Sequence, residues 1–293
     1  MALHFDRTLE AVYGVPVPLS SRVTRLVAPN PGPFTFQGTG VHVIGAGASV
    51  AVIDPGPDIP AHIAALKQAI GARRVSHILI THTHRDHSPA AAALKAWSGA
   101  KTFAAGPHGD TEGEVEEGAD RDFVPDAVVR DGDVLAGDGF TLSCVATPGH
   151  AANHMCYALA EEQALFCGDH VMGWSTSVVA PPDGDMAAYL ASLEKLIARG
   201  DRILYPTHGS PITQPQIYLR ELLAHRRMRE AQILDALENG HGIAALVAHL
   251  YPDIAPALRG DAMAVLQRVQ NLRFAHPPVG QQFAEVNLGL RDG

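Results

Sequence analysis

The chain has 293 residues and a mass of 31.0 kDa, with 46% hydrophobic and 18% charged side chains, which is enough for about two domains and a sizeable core. That mixture excludes collagen, coiled coil and wholesale disorder, and no run reaches the roughly 18 apolar residues of a membrane helix. A net charge of −9 speaks against a general grip on nucleic acid.

Histidine is frequent, with 16 against 22 lysines and arginines together. The three cysteines, Cys144, Cys156 and Cys167, are too few for a disulfide framework. The first residues show no basic segment followed by an apolar one, so no secretory leader is expected and the cytoplasm is the expected compartment. Residues 1–213 carry 14 basic and 23 acidic side chains, whereas residues 214–293 carry 8 of each. The acid is densest from Asp110 to Asp133, a run expected to form a solvated loop face.

In chain order, residues 41–44 and 49–53 read as strands joined across Gly45-Ala46-Gly47. Residues 59–70 read as an amphipathic helix closed by Gly71, and 75–80 as a buried strand. Residues 89–97 form an alanine-rich helix, with Ser88 the expected N-cap and Pro89 at its first position. Strands are expected at 140–146, 164–167 and 202–205, and a helix at 186–199 stopped by Gly200. After Thr213 the texture turns helical: a long segment at 215–238, shorter ones at 243–250 and 262–272, and a last strand at 282–286. These patterns place a domain boundary at 213/214, giving an α/β domain of residues 1–213 and a helical domain of residues 214–293.

The strand at 75–80 runs directly into Thr81-His82-Thr83-His84-Arg85-Asp86-His87. In extended chain His82 and His84 project to one side and can share a metal, while Asp86 and His87 lie beyond the turn and can reach a second one. Three further strands run into donors in the same way: 140–146 into Thr147-Pro148-Gly149-His150, 164–167 into Gly168-Asp169, and 202–205 into Pro206-Thr207-His208. Strand ends of layered α/β folds gather at one edge, so five histidines and two aspartates converge there. The favoured division is His82, His84 and His150 on one metal, Asp86, His87 and His208 on the other, and Asp169 bridging. Imidazole and carboxylate without thiolate suit zinc, with iron or manganese also fitting. Two metals about 3.5–4 Å apart hold a hydroxide between them, and Asp86 can pass a proton to a leaving group.

These residues resemble the metallo-β-lactamase superfamily: the His-x-His-x-Asp-His signature falls on His82, His84, Asp86 and His87, followed by His150, Asp169 and His208. More narrowly, residues 29–39, 52–56 and 205–209 resemble the beta-lactamase-like protein 2 branch. The resemblance implies an αββα metallo-β-lactamase sandwich with a C-terminal helical, winged-helix-like domain. It also implies two zinc ions per chain and, from animal members, endoribonuclease activity on single-stranded RNA. True β-lactamases of the superfamily lack the bridging aspartate and flavodiiron proteins carry Glu at the second position, so Asp169 and His84 set this chain apart from both.

Other residues allow two readings. Asp54 is either a turn residue before Pro55-Gly56 or a partner that holds a ligand histidine. His154 and Tyr205 are structural or substrate-facing, with the structural reading favoured for each, and Cys167 is expected in the core. Arg226, Arg227 and Arg229 form a basic cluster on the long helix, either a solvated face pairing with Glu221 and Glu230 or a contact for substrate phosphate.

The expected function is a dinuclear metallohydrolase using a metal-bridging hydroxide. Phosphodiester cleavage of RNA is the first reading on resemblance. Hydrolysis of a thioester, lactone or β-lactam is the alternative, because the fold does not fix the substrate. A nucleic-acid- or protein-binding module with structural metals is the remaining class. The partner is therefore a small ester-like molecule or single-stranded RNA, and no membrane association is expected.

Overall fold

The computed structural model describes residues 3–109 and 118–239, together with Ala245 and Ala248. It divides into two compact units, Met1–Arg227 and Met228–Gly293. In the first unit, β1 (Val17–Pro18), β2 (Val23–Val27), β3 (Gly40–Ile44) and β4 (Ser49–Ile53) precede α1 (Pro60–Ile70). Next come β5 (Arg74–Leu79), α2 (Ala90–Ser98), β6 (Lys101–Ala104) and β7 (Ala127–Val128). These seven strands lie side by side in chain order, antiparallel from β1 to β4 and parallel from β4 to β7. A second sheet contains β8 (Val134–Gly137), β9 (Phe140–Ala146), β10 (Met155–Leu159) and β11 (Ala164–Gly168). After α3 (Met186–Arg199) the chain adds β12 (Ile203–Pro206), parallel to β11, and then enters α4 (Pro215–Glu238).

Strand periodicity builds the layers. In β4, Ala51 and Ile53 point into a core between the sheets, while Val50 and Val52 point to the other face. In β10, Met155, Tyr157 and Leu159 face the same inter-sheet core, while Cys156 and Ala158 face outward. The outer face of the first sheet is covered by Leu66 and Ile70 of α1 and Ala91 and Leu94 of α2. The outer face of the second is covered by Tyr189, Leu193 and Leu196 of α3. The order is helices, sheet, sheet, helices: the expected αββα sandwich. Both sheets are covered on both faces, which is why their central strands are apolar almost throughout.

The first compact unit runs to Arg227, and Leu219, Leu222 and Leu223 of α4 are buried in one cluster with α3 and the second sheet. The winged-helix-like arrangement expected for 214–293, the strand at 282–286 and the helix at 262–272 lie outside the described residues. Within 243–250, Ala245 and Ala248 are helical. Sequence reading missed six strands: the short β1, β6, β7 and β8, β2, whose Thr24 and Arg25 interrupt its apolar pattern, and β10, which directly follows a donor-rich loop. Ser88 does not cap α2. Its hydroxyl donates to Asp120 Oδ2 at 2.5 Å, and Pro89 precedes Ala90 in helical conformation. The cap that sequence reading overlooked is Asp185, which accepts from Ala188 N at 2.8 Å and starts α3.

Two hydrogen bonds tie the sheets at the edge where the histidines emerge. Met155 N donates to Thr81 O at 2.7 Å, and the fully buried Tyr157 hydroxyl donates to Ile80 O at 2.8 Å. Removing the hydroxyl leaves a buried carbonyl without its donor, at a cost of about 1–3 kcal/mol. Tyr157→Phe should therefore lower the free energy of unfolding by that amount, seen in equilibrium urea denaturation followed by circular dichroism as a lower midpoint with an unchanged m-value.

Candidate metal centre

Five strands deliver the site at their carboxyl ends. β4 ends at Asp54, β5 at the 81–87 segment, β9 at the 147–150 turn, β11 at Asp169 and β12 at Thr207-His208. The structure brings all seven sequence-selected donors together. His82 Nε2 lies 2.8 Å from His84 Nδ1 and 3.3 Å from His150 Nε2. On the other side, Asp86 Oδ2 lies 3.3 Å from His87 Nε2 and 3.1 Å from His208 Nε2. Asp169 Oδ2 is 3.4 Å from His87 Nε2 and 3.2 Å from His208 Nε2. Asp169 and His87 also fall within 4.8 Å of a donor of His82, so this carboxylate stands between the two groups.

The electrostatics separate the two halves. Burial holds His82 well below the ordinary imidazole value, and the neighbouring His87, His84 and His150 add to that effect. Burial pushes His87 down as well, but Asp86, Asp169 and Asp54 outweigh it and raise it well above that value. His208 likewise overcomes its burial: Asp169 and Asp86 raise it to about 10. Burial alone would raise both partner carboxylates, yet these imidazoles hold Asp86 and Asp169 below the usual carboxylate range. Protons on His87 and His208 thus balance two buried anions, a role a cation fills equally well. Asp169 Oδ1 and His87 Nε2 are buried and make no hydrogen bond of acceptable geometry. Buried polar atoms are normally satisfied, so these two atoms fit a metal ion beside them.

Each donor is steered by a neighbour. Asp54, with φ at 48° and no exposure, accepts from Thr81 N at 2.8 Å, Thr81 Oγ1 at 2.8 Å and Thr207 Oγ1 at 3.1 Å. His87 Nδ1 completes the set at 2.9 Å from Asp54 Oδ2. Asp54 therefore acts as the histidine's partner as well as a turn residue. Thr39 Oγ1 donates to Asp86 Oδ2 at 3.0 Å, His150 Nδ1 to Val178 O at 2.6 Å, and His208 Nδ1 to Gly38 O at 3.2 Å. His154 takes the structural role. Its Nε2 accepts from Asp169 N at 3.3 Å, which leaves Nδ1–H to donate to Thr147 Oγ1 at 2.8 Å. Gly168, with φ at 51°, is required before Asp169, since a Cβ there would come within 2.5 Å of His154 Nε2. Sequence reading did not find the supporting Thr39, Thr81 and Thr207, because their role depends on contacts distant in the chain.

Tyr205 is a core residue, stacked on Phe166 with ring centroids 5.3 Å apart. Cys167 is buried in the outer core of the second sheet, as expected. Two members of the basic cluster are engaged within the protein. Arg226 donates to Ser177 O and lies over the Tyr189 ring, and Arg227 pairs with Glu194 of α3. Glu194 thus takes the place of the expected partners Glu221 and Glu230 for Arg227. Arg229 donates to Gln232 Oε1 at 3.2 Å. The acidic run is also more than a solvated face: Asp126 pairs with Lys95, Asp131 with Lys195, and Asp120 accepts from Ser88. Residues 110–117 of that run lie outside the described residues.

Comparison with known proteins agrees with this geometry. A family model described as the metallo-beta-lactamase superfamily matches residues 36–208. The chain is 34% identical over 222 residues to the atrochrysone carboxyl ACP thioesterase dmxR1 of Cryptosporiopsis sp. (strain 8999), covering 75% of this chain and 64% of that protein. It is 34% identical over 250 residues to a beta-lactamase-like protein 2 homolog of Caenorhabditis elegans, covering 84% of this chain and 81% of that one. Among solved structures, a metallo-beta-lactamase family protein from Thermus thermophilus superimposes with a TM-score of 0.68 at 26% identity, covering 85% of this chain and 92% of that one.

Asp54→Asn keeps the shape but replaces an acceptor with a donor toward His87, Thr81 and Thr207. Loss of such a ligand-orienting partner lowers metal affinity by about 10–100-fold. Chelator competition should show that loss, whereas unchanged affinity would reduce Asp54 to a turn residue.

Proposed function

The chain belongs to the metallo-β-lactamase superfamily, and on that premise we propose that it is a metal-dependent hydrolase that cleaves acyl thioesters to a carboxylic acid and a thiol. The observation that carries the hydrolase reading is the carboxylate of Asp169 between two groups of buried donors. In this reading His82, His84 and His150 would hold one divalent metal and Asp86, His87 and His208 a second, with the Asp169 carboxylate available to both. A divalent metal bound there lowers the pKa of its water toward about 7 and so supplies the nucleophile at neutral pH. The donor set suits Zn²⁺ first, with iron or manganese as alternatives.

Three observations support a thioester over a polyanion such as RNA. A relative covering 75% of the chain is named a thioesterase, although the chain spans only 64% of that protein's length. The net charge of −9 repels polyphosphate. Arg226 and Arg227 are already engaged within the protein. A binding module with structural metals fits poorly, because structural sites are closed, mostly thiolate cages, and the three cysteines here are buried and free. Free buried thiols also suit the reducing cytoplasm we propose as its location. Among the described residues no helix is long and apolar enough to cross a membrane.

The two aspartates differ in access. The Asp169 side chain is 2% exposed and the Asp86 side chain 14%. Asp86 Oδ2 is held by His208, His87 and Thr39, so the carboxylate is fixed in orientation while retaining contact with the open side. It is the group placed to carry a proton to the leaving atom. A thiol leaving group has a pKa of about 8.5 and departs without much help, whereas an alkoxide must be protonated as it leaves.

Metal analysis of protein purified with zinc should give two equivalents per chain, and Asp169→Ala should lower occupancy and activity together. A fully active wild type with one equivalent would overturn the dinuclear assignment. Asp86→Asn should lower kcat about 10²–10⁴-fold on an oxygen ester, leave KM nearly unchanged, and cost less on the thioester of the same acyl group. Equal losses on both esters, or a change in KM alone, would remove Asp86 from proton transfer.

A further inference from the structure

Residues 30–39 form a loop closed largely by its own hydrogen bonds. Gly32 and Phe36 exchange N–H···O bonds of 3.2 and 2.9 Å, Gly38 N donates to Thr35 O at 2.8 Å, and Thr35 Oγ1 donates to Asn30 O at 2.6 Å. Asn30 then braces the far end, donating to Thr39 Oγ1 at 2.9 Å and accepting from Thr39 N at 2.9 Å. The same Thr39 hydroxyl donates to Asp86, and Gly38 O receives His208 Nδ1. The loop is therefore fastened to the metal centre at two points.

At its bend Phe36 has φ at 54°, in the left-handed region. A bulky side chain avoids that region, and such a conformation persists only where the surroundings over-determine it. Its ring gains no place in the hydrophobic core. Instead it stacks, half-buried, on Trp174, with centroids 4.8 Å apart and planes 11° apart. Trp174 in turn lies against Gly209, the residue after His208, where a Cβ would come within 3.0 Å of the indole. The indole N–H is buried and makes no hydrogen bond, although buried indoles normally find an acceptor.

We propose that Phe36 and Trp174 form the acyl-binding wall of the site, selecting thioesters whose acyl group is planar and aromatic. This rests on the hydrolase reading above. The rings are held in a fixed stack beside His208, so they offer a flat apolar face without an ordering cost. A planar acyl group whose carbonyl lies at the metal centre gains offset or edge-on contact with that face. A short aliphatic acyl group meets no such surface.

The test uses the metal-loaded full chain carrying Trp97→Phe, which leaves Trp174 as the one remaining tryptophan of two. Trp97 is 43% exposed near the C-terminal end of α2. Benzoate should change Trp174 emission saturably and acetate should not. In steady-state assays, S-benzoyl and S-acetyl esters of one thiol are compared, and Phe36→Ala should lower the benzoyl-to-acetyl ratio of kcat/KM about 10-fold, with metal content unchanged. An unchanged ratio, together with Trp174 emission indifferent to benzoate, overturns the acyl wall while hydrolysis of either ester upholds the parent reading. Absence of hydrolysis of both esters overturns the parent reading, and the emission response to benzoate then decides the aromatic site alone.

Discussion

A carboxylate removed from water must be surrounded by donors, and Asp54 gathers four: Thr81 N, Thr81 Oγ1, Thr207 Oγ1 and His87 Nδ1. Those donors come from the loops after β5 and β12, which belong to different sheets. One buried anion at the end of β4 thereby fixes the spacing of the two sheets at the edge where the donor side chains emerge. The Tyr157 and Met155 bonds to Ile80 and Thr81 reinforce the same edge from the second sheet. The rest of the centre depends on this clamp, because a histidine ring aimed by a partner on its other nitrogen loses rotational freedom before any metal arrives.

The centre itself places anions and imidazoles so that each half compensates the other. His87 and His208 are raised by Asp86 and Asp169, which they depress in return, while the deeply buried His82 stays neutral. Its carboxylates then divide by access: Asp169 is enclosed and pinned through His154, whereas Asp86 keeps contact with the open side.

The helices play a quieter part. α3 and the first turns of α4 cover the second sheet, and Arg226 reaches from α4 to Ser177, beside the Val178 carbonyl that orients His150. A basic cluster that looks like a surface for phosphate is therefore partly a brace inside the first unit. Side-chain type alone does not distinguish the two, because the pairing depends on what α3 and the 177–178 segment present to it.

The sequence by itself determined the layered α/β class, the positions of the strands that carry donors, and the seven side chains that meet. Those features are local: apolar runs of strand length ending in His or Asp are legible one segment at a time, and parallel sheets bring strand ends to one edge. It left open whether Asp54 is a turn or a partner, whether His154 faces substrate, and where the basic cluster points. It also missed the strands β1, β2, β6, β7, β8 and β10 and the cap at Asp185. β2 is interrupted by polar residues, whereas β10 and the local Asp185 cap were legible and were overlooked. For Asp54, His154 and the basic cluster only the tertiary structure decided, because each depends on contacts that adjacent residues do not reveal. The left-handed Phe36 stacked on Trp174 belongs to the same class: no propensity predicts a strained aromatic, and only the braced loop and the indole beside His208 reveal what it faces.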